Sequence, residues 1–318
     1  MTSLPTDFRA LSARLGQDPL QVQGAGGNTS FKDGAVMWIK ASGTELADAE
    51  EKDIFVAVDR DKAKAEAYGA GDGTCKAAVL DPQATLRPSI ETTFHALLDW
   101  KVVAHTHSVA TLVHAISDTG CAEAMRKLQG LPVAVVPYRK PGVPLTGAIA
   151  TAITTDTQVI ILQNHGLVCA AHSVEEVSEL IANVEARLIM PLPERPCTSP
   201  ASPAPDGYDW FEYAAPLARD PRLRALVTQG SYYPDHVVFL GPALPTEPGG
   251  VAVVCTDGVA LRKDATSAQR AMLCCVMDVL GRLPEDWPPH PIGAEAEAAL
   301  LNWDAEKYRQ ALAAKPAP

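Results

Sequence analysis

Three histidines and one glutamate in this chain have the types and spacing of a metal-dependent active site. His105 and His107 form an H-x-H pair in KVVAHTHSV, which reads as a buried strand. Side chains alternate faces along a strand, so imidazoles two residues apart project the same way and can grip one ion. His165 ends a second apolar run, VIILQNH, also read as a strand. Three protein nitrogens with one coordination position left open is the layout of catalytic rather than structural zinc. Glu91, upstream in RPSIETTFH, brings a carboxylate. Held near a cation and out of bulk water, it can act as a general acid or base. A single histidine is usually a hydrogen-bonded structural residue. The case for a site rests on the pair, the third histidine and the carboxylate occurring together. Cys169, close after His165, is a weaker candidate ligand, since three nitrogens suffice.

Two polar loops add a binding chemistry. GAGGNTS (24–30) is glycine-rich but is no Walker loop, because no G-K-[ST] follows. It also misses G-x-G-x-x-G, with Thr29 where the last glycine should stand. Its glycines let backbone N–H groups converge on an anion, or simply make a tight turn. KASGT (40–44) follows another strand. Lys40, Ser42 and Gly43 can add donors to the same phosphate, with the lysine as a point charge. Glu91 and His95 lie four apart on one helix and share a face; His95 is read as a supporting residue rather than a fourth ligand. His236, in SYYPDHVVF, and Tyr138, at the end of LPVAVVPYRKPG, are two further candidates.

The elements that must position these groups alternate. DFRALSARLG is an amphipathic helix stopped by Gly16, and QVQGAGGNTSFKDGAVMWIKASGTEL reads as strand, glycine loop, hairpin and strand, with KDG the turn signal between the runs. A helix is expected from Pro88, with Ser89 as its N-cap and Ile90, Phe94, Leu97 and Leu98 on its core face. Strands at 102–109, 131–142 and 158–169 alternate with helices up to SVEEVSELIANVEARLI. The segment 191–207 holds six prolines, which no helix or central strand tolerates, and reads as a linker. Beyond it, YDWFEYAAPLARDPRLRAL is expected as helix, DHVVFLGP and GVAVVCTDGVAL as strands, and the last two apolar stretches as helices. The division is therefore 1–190, a linker at 191–207, and a smaller α/β extension at 208–318.

Apolar residues make up 47% of 318, ample for a large core. A net charge of −11 disfavours nonspecific nucleic-acid or anionic-membrane partners, but not a phosphorylated substrate met by local donors. The N-terminus lacks the apolar core of a secretory signal, and no stretch approaches a membrane span. Seven cysteines with no C-x-x-C read as reduced, mostly buried thiols of a cytoplasmic protein.

Taken in order, G-G-N-T-S (26–30), K-A-S-G-T (40–44), R-P-S-x-E with a histidine four further on (87–95), H-x-H (105–107) and N-H-G-L (164–167) resemble the class II aldolase/adducin family over roughly residues 8–190. P-Y-x-x-P-G-x-x-L (137–145) and W-D-A-E-K-Y-R (303–309) are similar to the aldolase part of bifunctional rhamnulose-1-phosphate aldolase/alcohol dehydrogenases. The resemblance implies a central β-sheet flanked by helices, and homotetramers with sites near subunit interfaces. It implies Zn²⁺ on His105, His107 and His165, Glu91 as the acid/base, and Gly27, Asn28, Ser42, Gly43 and Ser89 around the substrate's phosphate. It implies a carbon–carbon lyase that cleaves a ketose, expected as a ketose 1-phosphate, to dihydroxyacetone phosphate or a related ketone and an aldehyde through a zinc-stabilised enediolate. Epimerases, decarboxylases and dehydratases of sugar phosphates share the pattern, and adducin-like modules share the fold without catalysis. Where family members carry a second serine before the glutamate, this chain has Ile90.

Overall fold

The computed structural model describes residues 4–195 and 199–313; Cys197 lies outside them. The central sheet has seven strands: β1 (Asn28–Asp33), β2 (Val36–Lys40), β3 (Phe55–Asp59), β4 (Val102–Thr106), β5 (Val133–Val136), β6 (Val159–Leu162) and β7 (Gly166–Ala171). Their spatial order is β3-β2-β1-β4-β7-β6-β5, antiparallel throughout except for β5 beside β6. Strand β4, which carries His105 and ends one residue before His107, is the middle strand. Helices cover both faces, which explains why β4, β6 and β7 are apolar at nearly every position.

Alternation sorts the side chains. Val102, Ala104, Leu167 and Cys169 pack against Phe8, Leu11, Ile181 and Val184 from helices Thr6–Gln17 and Val174–Leu188. Val103, Val168 and Ala170 pack on the other face, against Phe94, Leu145 and Ile149 from helices Thr92–Leu97 and Val143–Ala152. His105 shares a face with Val103, and the Phe94 ring meets it edge-on at 6.0 Å. Cys169 faces the opposite side, away from the histidines. Burial pushes its thiol up, so it is no thiolate ligand.

The C-terminal part forms a three-stranded antiparallel sheet, β8 (Tyr208–Trp210), β10 (Val259–Arg262) and β9 (Ala252–Val254) in that order, with helices packed around it. It does not stand apart. One core joins Leu112, Val113 and Ile116, from helix Val109–Ala115 and its end, to Leu217, Val237, Met272, Val276 and Leu280. The proline-rich stretch lies against this part: Leu192 packs on the same core, and Arg195 donates to the Gly281 carbonyl at 3.4 Å. No helix among the described residues is long and apolar enough to cross a membrane.

Six local expectations need correction. DHVVFLGP is no strand but the end of helix Pro234–Leu240, buried on all sides; a short apolar run buried all round carries no period that separates helix from strand. The run ending in His165 is a hairpin, β6 and β7, folded at Gln163-Asn164-His165, so His165 sits in the turn. The helix expected from Pro88 begins only at Thr92; Ser89 is spent on the preceding loop, and Glu91 takes the N-cap position. QVQG forms no strand, since pairing starts at Asn28. YDWFEYAAPLARDPRLRAL opens with β8 and then divides into short helices restarted by Pro216 and Pro221, and the last expected helix is split near Asn302 into Ala294–Leu301 and Asp304–Ala313.

Candidate active site

Pairing between β1 and β4 sets the site's first contact, because Asn28 is the cross-strand partner of His105. Gly27 precedes it at φ +57°, where a Cβ would lie 2.8 Å from the His105 carbonyl. The chain can therefore turn into β1 only with glycine there. Glu91 enters from its helix N-cap with φ −107° and ψ 9°, the sparsely populated bridge conformation where many active-site residues sit. Its Oε2 accepts from Asn28 Nδ2 at 2.8 Å. The same amide donates to Ser89 Oγ at 3.2 Å. Asn28 Oδ1 is therefore an acceptor, and the His95 Nε2 that bonds it carries the proton. His95 Nδ1 then accepts from Ser30 Oγ at 2.8 Å. Burial lowers the His95 pKa well below its ordinary value, which keeps this neutral tautomer in place. Both ends of the Asn28 amide thus orient Glu91, Ser89 and His95.

His105, His107 and His165 converge around the same carboxylate. Their ligating atoms lie within 4.8 Å of one another, and all three rings are buried. His105 donates from Nδ1 to the Leu167 carbonyl at 2.9 Å, which leaves its Nε2 with the lone pair. That Nε2 is buried without a hydrogen-bond partner among the described residues and lies 3.5 Å from Glu91 Oε2. His165 Nε2 lies 3.5 Å from Glu91 Oε1, which has no hydrogen-bond donor among them either. A buried polar atom left unmade costs about 1–3 kcal/mol, so several such atoms facing one point mark a place for a cation. The donor set, three imidazoles beside a carboxylate, fits zinc or another borderline divalent ion.

The electrostatics agree. Burial keeps His105 below its ordinary pKa and His165 at about 3, so both are neutral, metal-ready imidazoles. For Glu91, burial raises the pKa, but His105, His165, the Asn28 N–H and His107 together outweigh it and hold the carboxyl below its ordinary value. A bound cation would act in the same direction. Glu91 is a carboxylate at neutral pH.

The loops lie alongside. The Ser42 N–H donates to the Arg87 carbonyl at 2.9 Å and the Ser89 N–H to the Lys40 carbonyl at 3.2 Å, which stitches KASGT to the R-P-S segment. Ser89 Oγ accepts from both Asn28 Nδ2 and the Glu91 N–H, so its own proton remains to donate. Lys40 is buried, with Nζ donating to the Ala25 carbonyl at 3.0 Å. Gly27, Asn28, Lys40, Ser42, Gly43, Ser89, Glu91, His107 and His165 line one cavity of about 30 Å³, room for roughly a water or two. Ser42, Ile90 and Pro141 also border a chamber of about 520 Å³, walled by Arg87, Lys140, Trp303 and Tyr308. Tyr138 and His236 are not among the residues lining either space. Burial lifts the Tyr138 phenol to about 12 and lowers His236 to about 3, with His236 Nδ1 accepting from the Tyr232 N–H at 3.4 Å.

Two ionisable cavity residues are not singled out as site candidates by the sequence, Asp235 and Glu306, both from the C-terminal part. Asp235 had a signal. Pro234 at the first helical position followed by an acid is a helix start, and reading that run as a strand drew attention to His236 instead. Glu306 lies inside W-D-A-E-K-Y-R, which carries a resemblance but assigns no role to its glutamate.

Residues 9–190 match the family described as Class II Aldolase and Adducin N-terminal domain. A Bacillus subtilis (strain 168) protein carrying the name uncharacterized oxidoreductase YuxG is 31% identical over 173 residues, 48% of this chain and 24% of that protein. This chain therefore spans about a quarter of that relative's length. A solved N-terminal class II aldolase domain of a conserved protein from Thermoplasma acidophilum is 27% identical with a TM-score of 0.50, covering 59% of this chain and 94% of that one. An L-fuculose-1-phosphate aldolase from Thermus thermophilus is more distant, 16% identical with a TM-score of 0.39 over 57% of this chain and 92% of that one, and adds no argument. With more than half its length matched, and with the sheet and the histidine cluster in place, this chain belongs to the class II aldolase and adducin N-terminal domain family.

Proposed function

We propose that this chain is a divalent-metal-dependent carbon–carbon lyase, reversibly cleaving a ketose, most simply a ketose 1-phosphate, to dihydroxyacetone phosphate or a related ketone and an aldehyde. The observation that carries the reading is Glu91, ionised and within 3.5 Å of two buried, neutral imidazoles whose third partner shares the cavity. His105, His107 and His165 would hold Zn²⁺. When bound, the ion supplies Lewis acidity that stabilises the enediolate charge left on the ketone fragment.

The chain's own groups do the rest. In cleavage the Glu91 carboxylate takes up the proton released by the hydroxyl that becomes the aldehyde, the carbon–carbon bonding pair passes to the ketone carbon, and Glu91 returns that proton there; in condensation the same transfers run in reverse. Asn28 keeps Oε2 in place, and its neutral His95 partner cannot compete for the proton. Ser42, Ser89, Gly27, Gly43 and Lys40 form the donor side suited to a phosphate. The larger chamber adjoining the cavity is the way in and the space for the aldehyde half. We read the protein as cytoplasmic and homo-oligomeric, a tetramer being the simplest assembly, and residues 208–318 as an extension of the lyase.

The test is metal content in purified wild type beside His105→Ala, followed by ketose 1-phosphates screened for EDTA-sensitive cleavage with product identification. About one zinc per chain, lost in the variant, with aldehyde and ketone products, is expected. Carbon dioxide or an inverted stereocentre would move the reaction to a decarboxylase or an epimerase. A wild type that takes up no metal would leave only a binding module.

A further inference from the structure

We infer that Asp235, contributed from outside the family-matched region, is a positioning residue for the metal ligand His107, so that the C-terminal part completes the metal centre. The inference rests on the metal-dependent reading above. Asp235 Oδ2 lies 3.1 Å from His107 Nδ1, a close ion-pair contact rather than an aligned hydrogen bond, and both side chains are nearly fully buried. A carboxylate at Nδ1 fixes the proton on that nitrogen and leaves Nε2 with the lone pair, the arrangement by which carboxylates orient and strengthen metal-bound imidazoles. His105 obtains the same service from the Leu167 carbonyl, a group within the matched region. For His107 it is Asp235 that occupies this place.

The local build is consistent with that role. A Cβ on Gly26 would lie 2.8 Å from His107 Nδ1 and 3.0 Å from Asp235 Oδ2, so the glycine loop leaves the space in which the two meet. Helix Pro234–Leu240 is packed all round, so Asp235 at its start has a fixed position. A second contact points the same way. Asn164, at φ +53° in the turn that bears His165, donates from Nδ2 to the Tyr232 carbonyl at 2.9 Å and the His290 carbonyl at 2.7 Å. Two of the three histidines are therefore steadied by residues 232–290.

The experiment uses the full chain, stripped of metal and reloaded with Zn²⁺ or Co²⁺, comparing wild type, Asp235→Asn, Asp235→Ser, His107→Ala and the His107→Ala/Asp235→Asn double variant. Asp235→Asn should weaken zinc binding about 10- to 100-fold and shift the visible bands of the cobalt form, while thermal unfolding of the metal-free protein stays near wild type. In the His107→Ala background the same change should cost nothing further. If Asp235→Asn does not fold, Asp235→Ser carries the comparison. Unchanged affinity and an unchanged cobalt spectrum would overturn the inference, as would an equal loss in the His107→Ala background. A wild type that binds neither ion would instead overturn the functional reading beneath it.

Discussion

Residues 9–190 and residues 208–313 contribute to one site by different physical means. The first region supplies atoms that can do chemistry: three clustered imidazoles able to hold a metal ion, Glu91 and the polar loops. The second supplies constraint: a carboxylate behind His107, two carbonyls that hold the His165 turn, and Glu306 in the cavity wall. The contrast teaches that a family match can end well before an active site does. Positions that react are repeated in motifs, whereas positions that steady them come from wherever the fold happens to bring a side chain.

Variants can break that comparison at either end. The largest effect is expected on the chemical side. Glu91→Gln keeps the Asn28 contact sterically but removes the base, so turnover of the cleaved ketose should fall about 10²- to 10⁴-fold with zinc content retained. Equal loss of zinc and turnover would instead make Glu91 a structural ligand. Next comes the supporting side. Asn164→Gly keeps the left-handed turn but strands two carbonyls, costing about 1–3 kcal/mol by denaturant unfolding, and Asn164→Ala should cost about 1 kcal/mol more for the strained backbone. If Asn164→Gly is neutral, the turn does not depend on the C-terminal part.

The smallest effect sharpens the seam itself. His114 is buried at the junction, with its ring 5.1 Å from Trp287, Nδ1 donating to the Ala110 carbonyl and Nε2 accepting from Lys127 at 3.3 Å. Burial lowers its pKa from 6.5 to about 4. The folded state therefore binds this proton more weakly than the unfolded chain. Its contribution is fully present above about pH 6.5 and is lost as pH falls toward 4, amounting to about 2 kcal/mol by pH 5. His114→Gln should flatten the stability–pH curve across that window. An unchanged slope would place the acid sensitivity elsewhere.

How much could be read in advance follows from the same division. The sheet, the helices around it and the meeting of His105 with His107 and His165 were legible, because period-2 burial and a short list of ligating residue types leave few arrangements. The roles of Asn28 and His95 were only half legible. Their types suggested polar contacts, but the cross-strand pairing that makes them orient Glu91 is a register, and one strand does not state its partner. Asp235 was hidden by an apolar run whose period was ambiguous, and the turn at Asn164 by an apolar run that folds back on itself.

That register has a consequence for how the chain can change length. Asn28 faces His105, and Phe31 faces Val102, along an uninterrupted β1–β4 ladder. One residue inserted or deleted inside either strand would turn every following side chain to the opposite face and carry Asn28 away from His105. The β1–β2 turn is under no such rule. A Cβ at Gly34 would meet nothing within 4 Å, and the turn points away from the histidines. Added residues there would lengthen a hairpin tip and leave the β1–β4 register untouched, so growth of this protein is permitted at its tips and forbidden along the two strands that hold Asn28 to His105.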